Sequence, residues 1–235
     1  MAVQKITLDH IKEVCAKPND PEDQRLLIRK VSYYIVLPFL YTPITPTQVT
    51  LLWLFLGLIS ALFFYPGSYS LSVLGSVLMM IAFVLDYVDG NIARYKQQFS
   101  QRGYLLDLTG SFFVTSALLF TLGFGGYHRT GQTLWFYLAA LCLFGFFMYQ
   151  VMCYLAIVDR LKGHKKSQAA ESTPLIYKRY RLLMKLLPAH FDKLCLILLI
   201  LSLFNRPEWF LIYFGLVYNG MWGGKFLYDF FFTYR

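Results

Sequence analysis

Asp86, Asp89, Gly90, Ala93 and Arg94 stand at i, i+3, i+4, i+7 and i+8 in an otherwise apolar stretch. At 3.6 residues per turn they fall on one stripe of a helix. Gly103, Asp107 and Ser111, four apart, form a stripe on the next helix. The connection 95–102 is short, polar and basic, which makes the two helices antiparallel neighbours. Their stripes then face each other, and Asp86, Asp89 and Asp107 converge. Three carboxylates that close together cannot all stay ionised without a cation. Hard, partly hydrated oxygen ligands suit Mg²⁺ or Mn²⁺. Gly90 and Ala93 remove bulk beside the acids and leave room for a ligand against the backbone. Arg94 can neutralise a phosphate or brace a carboxylate. Together these residues point to a pyrophosphate-bearing substrate. A single Asp at a helix end is usually a cap, and a lone Asp–Arg pair is usually structural. Two matched charged stripes at membrane depth cost too much to be explained that way.

The elements that must position these residues are membrane helices. The chain has 235 residues, 57% of them hydrophobic and 15% charged, with mean hydropathy +0.49. Long apolar runs make the expected fold class all-α: a polytopic membrane protein with six transmembrane helices. The spans are placed near 47–65, 70–94, 103–125, 133–157, 190–205 and 208–233, the fifth being short. Residues 1–45 form an N-terminal region, and residues 46–235 one six-helix domain. Within the first region, Pro18-Asn19-Asp20-Pro21 breaks the chain. A basic and aromatic helix from about Arg25 to Tyr41 lies along the interface. Arg25, Arg29 and Lys30 are expected to face headgroups, and Leu27, Ile28, Val31, Tyr34 and Ile35 the acyl region. The polar connection 159–189 ends in a second basic, interfacial helix over 175–187. The first 30 residues carry no apolar signal-peptide core.

With the N-terminus inside, 19 of the 22 Lys and Arg residues lie on inner segments, and Arg129 and Arg206 occupy outer loops. The positive-inside rule then puts both termini and the aspartates on the cytoplasmic side. The net charge of +9 is thus explained by topology and anionic lipid headgroups, and no nucleic-acid partner is expected. Four cysteines without paired spacing read as packing residues, and four scattered histidines suggest no zinc site.

The acidic segment resembles the signature of the CDP-alcohol phosphotransferase family, D-x2-D-G-x2-A-R-x8-G-x3-D-x3-D. Asp86, Asp89, Gly90, Ala93, Arg94, Gly103 and Asp107 match it in type and spacing, seven of eight positions over 26 residues. Pro46-Thr47-Gln48-Val49-Thr50 is similar to the family's P-N-x-V-T approach to the first span, with Thr47 in place of Asn. The resemblance implies a homodimeric six-helix membrane bundle with a cytoplasmic cavity, set in a bacterial or archaeal cell membrane. It implies transfer of a substituted phosphate from a CDP-linked donor, such as CDP-diacylglycerol, to an alcohol acceptor with release of CMP, in phospholipid or glycan-lipid synthesis. Asp86, Asp89 and Asp107 would ligate the metal. Asp86, Gly90, Ala93, Arg94, Gly103 and Thr47 would form the nucleotide site, and Asp107 would share in catalysis.

The eighth position departs. The family has an Asp there, its metal ligand and general base, and this chain has Ser111. A neutral hydroxyl is a poor base, and general-base catalysis is worth about 10²–10⁴-fold. Three readings stand: a position altered deliberately, a variant using one metal, another base or an ionised acceptor, or a protein that binds without turnover. Thr109 cannot replace a carboxylate. His190 and Asp192, at the start of the fifth span, are candidate substitute bases. Lys193 and the 175–187 helix are candidate phosphate binders or topological charges, and Lys225 can pair with Asp229 at i+4. A cation transporter is disfavoured by the 95–102 spacing and the lack of repeats.

Overall fold

A computed structural model describes residues 7–15, 27–161, 191–228 and 230–231. All secondary structure among them is helical. The order is α1 (Leu8–Cys15), α2 (Leu27–Leu40), α3 (Pro46–Phe64), α4 (Tyr69–Lys96), α5 (Gln101–Thr130), α6 (Leu134–Leu161), α7 (Phe191–Leu203) and α8 (Trp209–Tyr228). Among the described residues, four helices are long and apolar enough to cross a membrane: Pro46–Phe64, Tyr69–Lys96, Gln101–Thr130 and Leu134–Leu155. Lys193–Leu203 is a shorter apolar helix. Arg25, the Pro18–Pro21 break, the 175–187 segment, His190 and Asp229 lie outside the described residues, as does the side chain of Asp192.

Local chemistry sets the boundaries that matter for the acidic segment. α3 opens with a capping box. Thr45 Oγ1 accepts from Gln48 N at 3.4 Å, and Gln48 Oε1 accepts from Thr45 N at 2.9 Å. Pro46 at the first turn gives up no intrahelical bond there. α4 ends at Gln97, whose φ of 52° is left-handed and whose N–H returns to the Ala93 carbonyl. α5 opens on Ser100, whose hydroxyl accepts from Gly103 N at 2.9 Å. The expected polar connection is thereby cut to residues 97–100, because both helices run further than the apolar pattern alone indicates. α5 also extends to Thr130, so Arg129 sits in its last turn rather than in a loop.

Packing follows from these short connections. α3 lies against α4 and α5, α5 against α6, α6 against α8, and α4 against α7. α1 and α2 pack on the flank of α4. Ile11, Cys15, Tyr33, Val36, Val88 and Ile92 belong to one buried cluster joining those three helices. Lys96 fastens the same flank from the other side: its Nζ donates to the carbonyls of Thr42 (2.7 Å), Ile44 (2.9 Å) and Phe39 (3.3 Å), closing the α2–α3 connection against the end of α4.

The interfacial pattern read for α2 is wrong at Arg29. That residue turns inward and is 1% exposed. Its Nη2 donates to the Cys15 carbonyl at 2.8 Å and its Nε to the Tyr33 hydroxyl at 3.2 Å. The guanidinium carbon lies 5.5 Å from the Tyr33 ring and 5.6 Å from the Tyr87 ring. Aromatic faces and a carbonyl replace water around the cation, which makes burial tolerable. Ile28 is buried too, whereas Lys30, Val31 and Tyr34 are exposed.

Candidate active site

Asp86 and Asp89 come from the last turns of α4, and Asp107 from the second turn of α5. The structure brings all three together: one carboxylate oxygen of each lies within 4.8 Å of the others. Asp89 is buried, at 7% exposure, while Asp86 and Asp107 are half-buried. That proximity allows the three oxygens to share one divalent cation or to bridge two, since hard oxygen ligands of this kind suit both arrangements. The donor set is oxygen only, which suits Mg²⁺ or Mn²⁺ and disfavours softer metals.

Two donors from α3 hold the most buried of the acids. The Thr50 hydroxyl lies 2.6 Å from Asp89 Oδ2, and Trp53 Nε1 donates to the same oxygen at 3.1 Å. Thr50 Oγ1 is also 3.1 Å from the Pro46 carbonyl, and the shorter, charge-assisted contact takes its proton. Two donors on one oxygen fix the rotation of the carboxylate, the kind of outer support that orients metal ligands. Gly110 makes this reach possible: a Cβ there would come within 2.7 Å of Leu54 Cδ1 and 3.3 Å of Trp53. Sequence reasoning missed Thr50 and Trp53 as site residues. Their spacing of three on one face of α3 was the available signal.

Asp89 and Asp107 open onto a cavity of about 490 Å³, within the range of small-ligand sites. Thr47, Gly90, Ala93, Arg94 and Gly103, all expected at the site, line it, as do Thr50 and Ser100. Phe99 and Tyr104 line it as largely exposed aromatics. Gly90 plays a more particular part than leaving room for a ligand. A Cβ on it would stand 3.2 Å from Arg94 Nη2 and 3.4 Å from Nη1, so the guanidinium occupies the space that glycine leaves. At Gly103 a side chain would meet Ser100 Oγ at 2.8 Å and Thr47 Oγ1 at 3.2 Å, so the α5 cap needs a bare backbone there.

Ser111 stands one turn beyond Asp107 and is not part of the cavity lining. Its hydroxyl donates to the Leu108 carbonyl at 2.9 Å. The proton goes to the helix's own backbone, and the neutral oxygen that remains carries no carboxylate charge and is only weakly basic.

Three convergent carboxylates, of which Asp89 and Asp107 but not Asp86 line the cavity, can bind a cation beside an anionic group held by Arg94 on the same wall. A family model of CDP-alcohol phosphatidyltransferases matches residues 43–219, which span the cavity walls and every candidate residue. A curated relative, the bifunctional IPC transferase and DIPP synthase of Aquifex aeolicus (strain VF5), is 38% identical over 98 residues. That stretch covers 42% of this chain and 22% of the relative, so the likeness concerns a minor part of that protein. The extent of the family match, with the aspartate, glycine and arginine pattern folded into one cavity, places the chain in the CDP-alcohol phosphatidyltransferase family.

Proposed function

We propose that this protein is an integral membrane transferase that moves a substituted phosphate from a CDP-linked donor to an alcohol acceptor, with release of CMP. The observation that carries this reading is the convergence of Asp86, Asp89 and Asp107 beside Arg94 at one cavity. The acceptor oxygen forms the new bond to the donor's outer phosphorus while the bond to the CMP oxygen breaks. A divalent ion held by the three aspartates would neutralise the diphosphate and stabilise the leaving CMP. Arg94 faces the phosphates, held over Gly90. Thr47, Ala93 and Gly103 shape the nucleotide end of the cavity, and Asp107, a half-buried carboxylate on its wall, takes the acceptor's proton. CDP-diacylglycerol is the first donor to try. IPC, named in the activity of the Aquifex relative, belongs on the same panel. The remaining expectations join this proposal: six spans, a homodimer, and both termini and the site on the cytoplasmic face, which the Lys and Arg asymmetry supports.

Ser111 favours a second reading, in which the cavity binds a CDP-linked ligand without turning it over. Its hydroxyl is bound to Leu108 O and stands off the cavity wall, where relatives of the signature type carry a carboxylate. One experiment separates the two. Metal-dependent CMP release is measured from CDP-diacylglycerol, soluble CDP-alcohols and IPC across a panel of alcohol acceptors, for the unaltered protein and for Ser111→Asp. Release by the unaltered protein establishes the transferase. Release only from Ser111→Asp establishes an intact binding site that lacks its base. Silence from both folded proteins rejects the transferase reading.

A further inference from the structure

α1 and α2 precede the 43–219 family match, yet a continuous polar path runs from them to the cavity. Ser32 of α2 donates its hydroxyl proton to the Arg29 carbonyl at 2.7 Å. Its Oγ is therefore left as an acceptor, and Asn91 Nδ2 donates to it at 3.0 Å. That bond fixes which way the Asn91 amide points, and its Oδ1 accepts from Arg94 Nη2 at 3.0 Å. Ser32 and Asn91 are both fully buried, so neither can exchange its partner for water. The path also closes through α1. Cys15 Sγ lies 3.5 Å from the Asn91 carbonyl, and the Cys15 carbonyl accepts from Arg29.

We infer that Asn91 is a positioning residue: it holds the Arg94 guanidinium at the cavity, and Ser32 holds Asn91, so the N-terminal helices set the placement of the site's arginine. Here one amide edge is pinned by α2, and the opposite edge grips a charged group that lines the cavity beside Gly90.

The test has two arms. In the first, without any nucleotide, the rate at which phenylglyoxal modifies Arg94 is read by peptide mass spectrometry. Asn91→Leu and Ser32→Ala each free the guanidinium and speed modification several-fold. Ser60→Ala, which removes another buried serine hydroxyl (on the Gly75 carbonyl, 2.7 Å) far from this path, leaves the rate unchanged. An unchanged rate in Ser32→Ala overturns the inference, even if Asn91→Leu fails to fold. The second arm rests on the transferase reading and measures CMP affinity in the presence of Mn²⁺. Asn91→Leu weakens CMP about tenfold, the scale of a lost bond to a charged group, and has no further effect in an Arg94→Ala background. Equal losses in both backgrounds overturn the inference. If the unaltered protein does not bind CMP, the transferase reading falls, and the modification rates alone decide the role of Asn91.

Discussion

The two ends of the helix bundle both carry buried charge, and they handle it in opposite ways. At the acidic end, three carboxylates converge, and two of them, Asp89 and Asp107, line a cavity. At the far end, Glu208 is 1% exposed and sits between two arginines, Arg129 Nε at 3.7 Å and Arg206 Nη1 at 3.8 Å. Arg129 is then spent on the backbone: Nη2 donates to the Gly67 carbonyl at 2.9 Å, and Nη1 to both the carbonyl and side-chain oxygens of Asn205. These contacts tie the α3–α4 turn, the end of α5 and the α7–α8 turn into one closure. Gly125 packs bare against the Phe64 carbonyl and Gly67 beneath it. Charge that is matched and consumed by backbone makes a lock. Like charges gathered beside open space make a site, because a ligand can still improve their surroundings.

The sharpest way to break the comparison is to neutralise one charge at each end. On the proposed reading, in which Asp89 holds the ion, Asp89→Asn reduces metal-dependent CMP release to background, with Mn²⁺ binding lost in the same preparation. Because it also removes like-charge repulsion, its melting temperature without metal holds or rises. Arg129→Ala does the reverse. It leaves the Glu208 carboxylate buried with the more exposed Arg206 beside it and costs about 3 kcal/mol, the low end for a broken buried pair because Arg206 stays. Its melting temperature falls, while Mn²⁺ affinity in the folded protein is unaltered. If Asp89→Asn destabilises and Arg129→Ala does not, the assignment of site and lock is reversed.

A smaller change sharpens the acidic end alone. Thr50→Val keeps shape but removes one donor from Asp89 Oδ2, while the Trp53 Nε1 donor to that oxygen stays. Loss of such outer support lowers metal affinity about 10–100-fold. A Mn²⁺ titration of the variant checks this. An effect as large as that of Asp89→Asn would mean that Thr50 binds the ion itself.

The acids, Arg94 and the small residues around them were legible in the sequence because helix periodicity alone puts them on facing stripes. The antiparallel arrangement needed only the short connection between them. What stayed hidden depends on how helices cross. Thr50 and Trp53 reach Asp89 from 39 and 36 positions away, and no periodic pattern reports that distance. Arg29 next to Lys30 reads as an interfacial basic pair. Only the docking of α2 on α4 reveals that one of them enters a cage of tyrosines. Asn91 occupies a position the signature leaves open, so its type drew no notice. Glu208 stood at the expected start of the sixth span, and no local pattern reports the arginines that meet it from the end of α5 and the α7–α8 turn.

The smallest expected effect concerns Cys15, which lies on α1, outside the spans, and touches the flank of the acidic end. Burial pushes its thiol above the ordinary cysteine value, and Arg94 and Arg29 pull weakly the other way. A raised value means less thiolate near neutral pH, and the thiolate is the reacting form. Maleimide therefore modifies Cys15 more slowly at pH 7.5 than it does an exposed cysteine, and the rate climbs with pH without levelling at ordinary thiol values. Ser32→Ala loosens the network around Asn91 and raises the rate a few-fold at fixed pH, whereas Arg129→Ala, at the lock, leaves it alone. Equal acceleration by both variants would mean that the whole bundle had loosened and that the flank of the acidic end is not an independently held unit. Acceleration by Ser32→Ala alone, with α1 still docked, makes the flank an independently held local structure that reaches the cavity through Asn91 and Arg94.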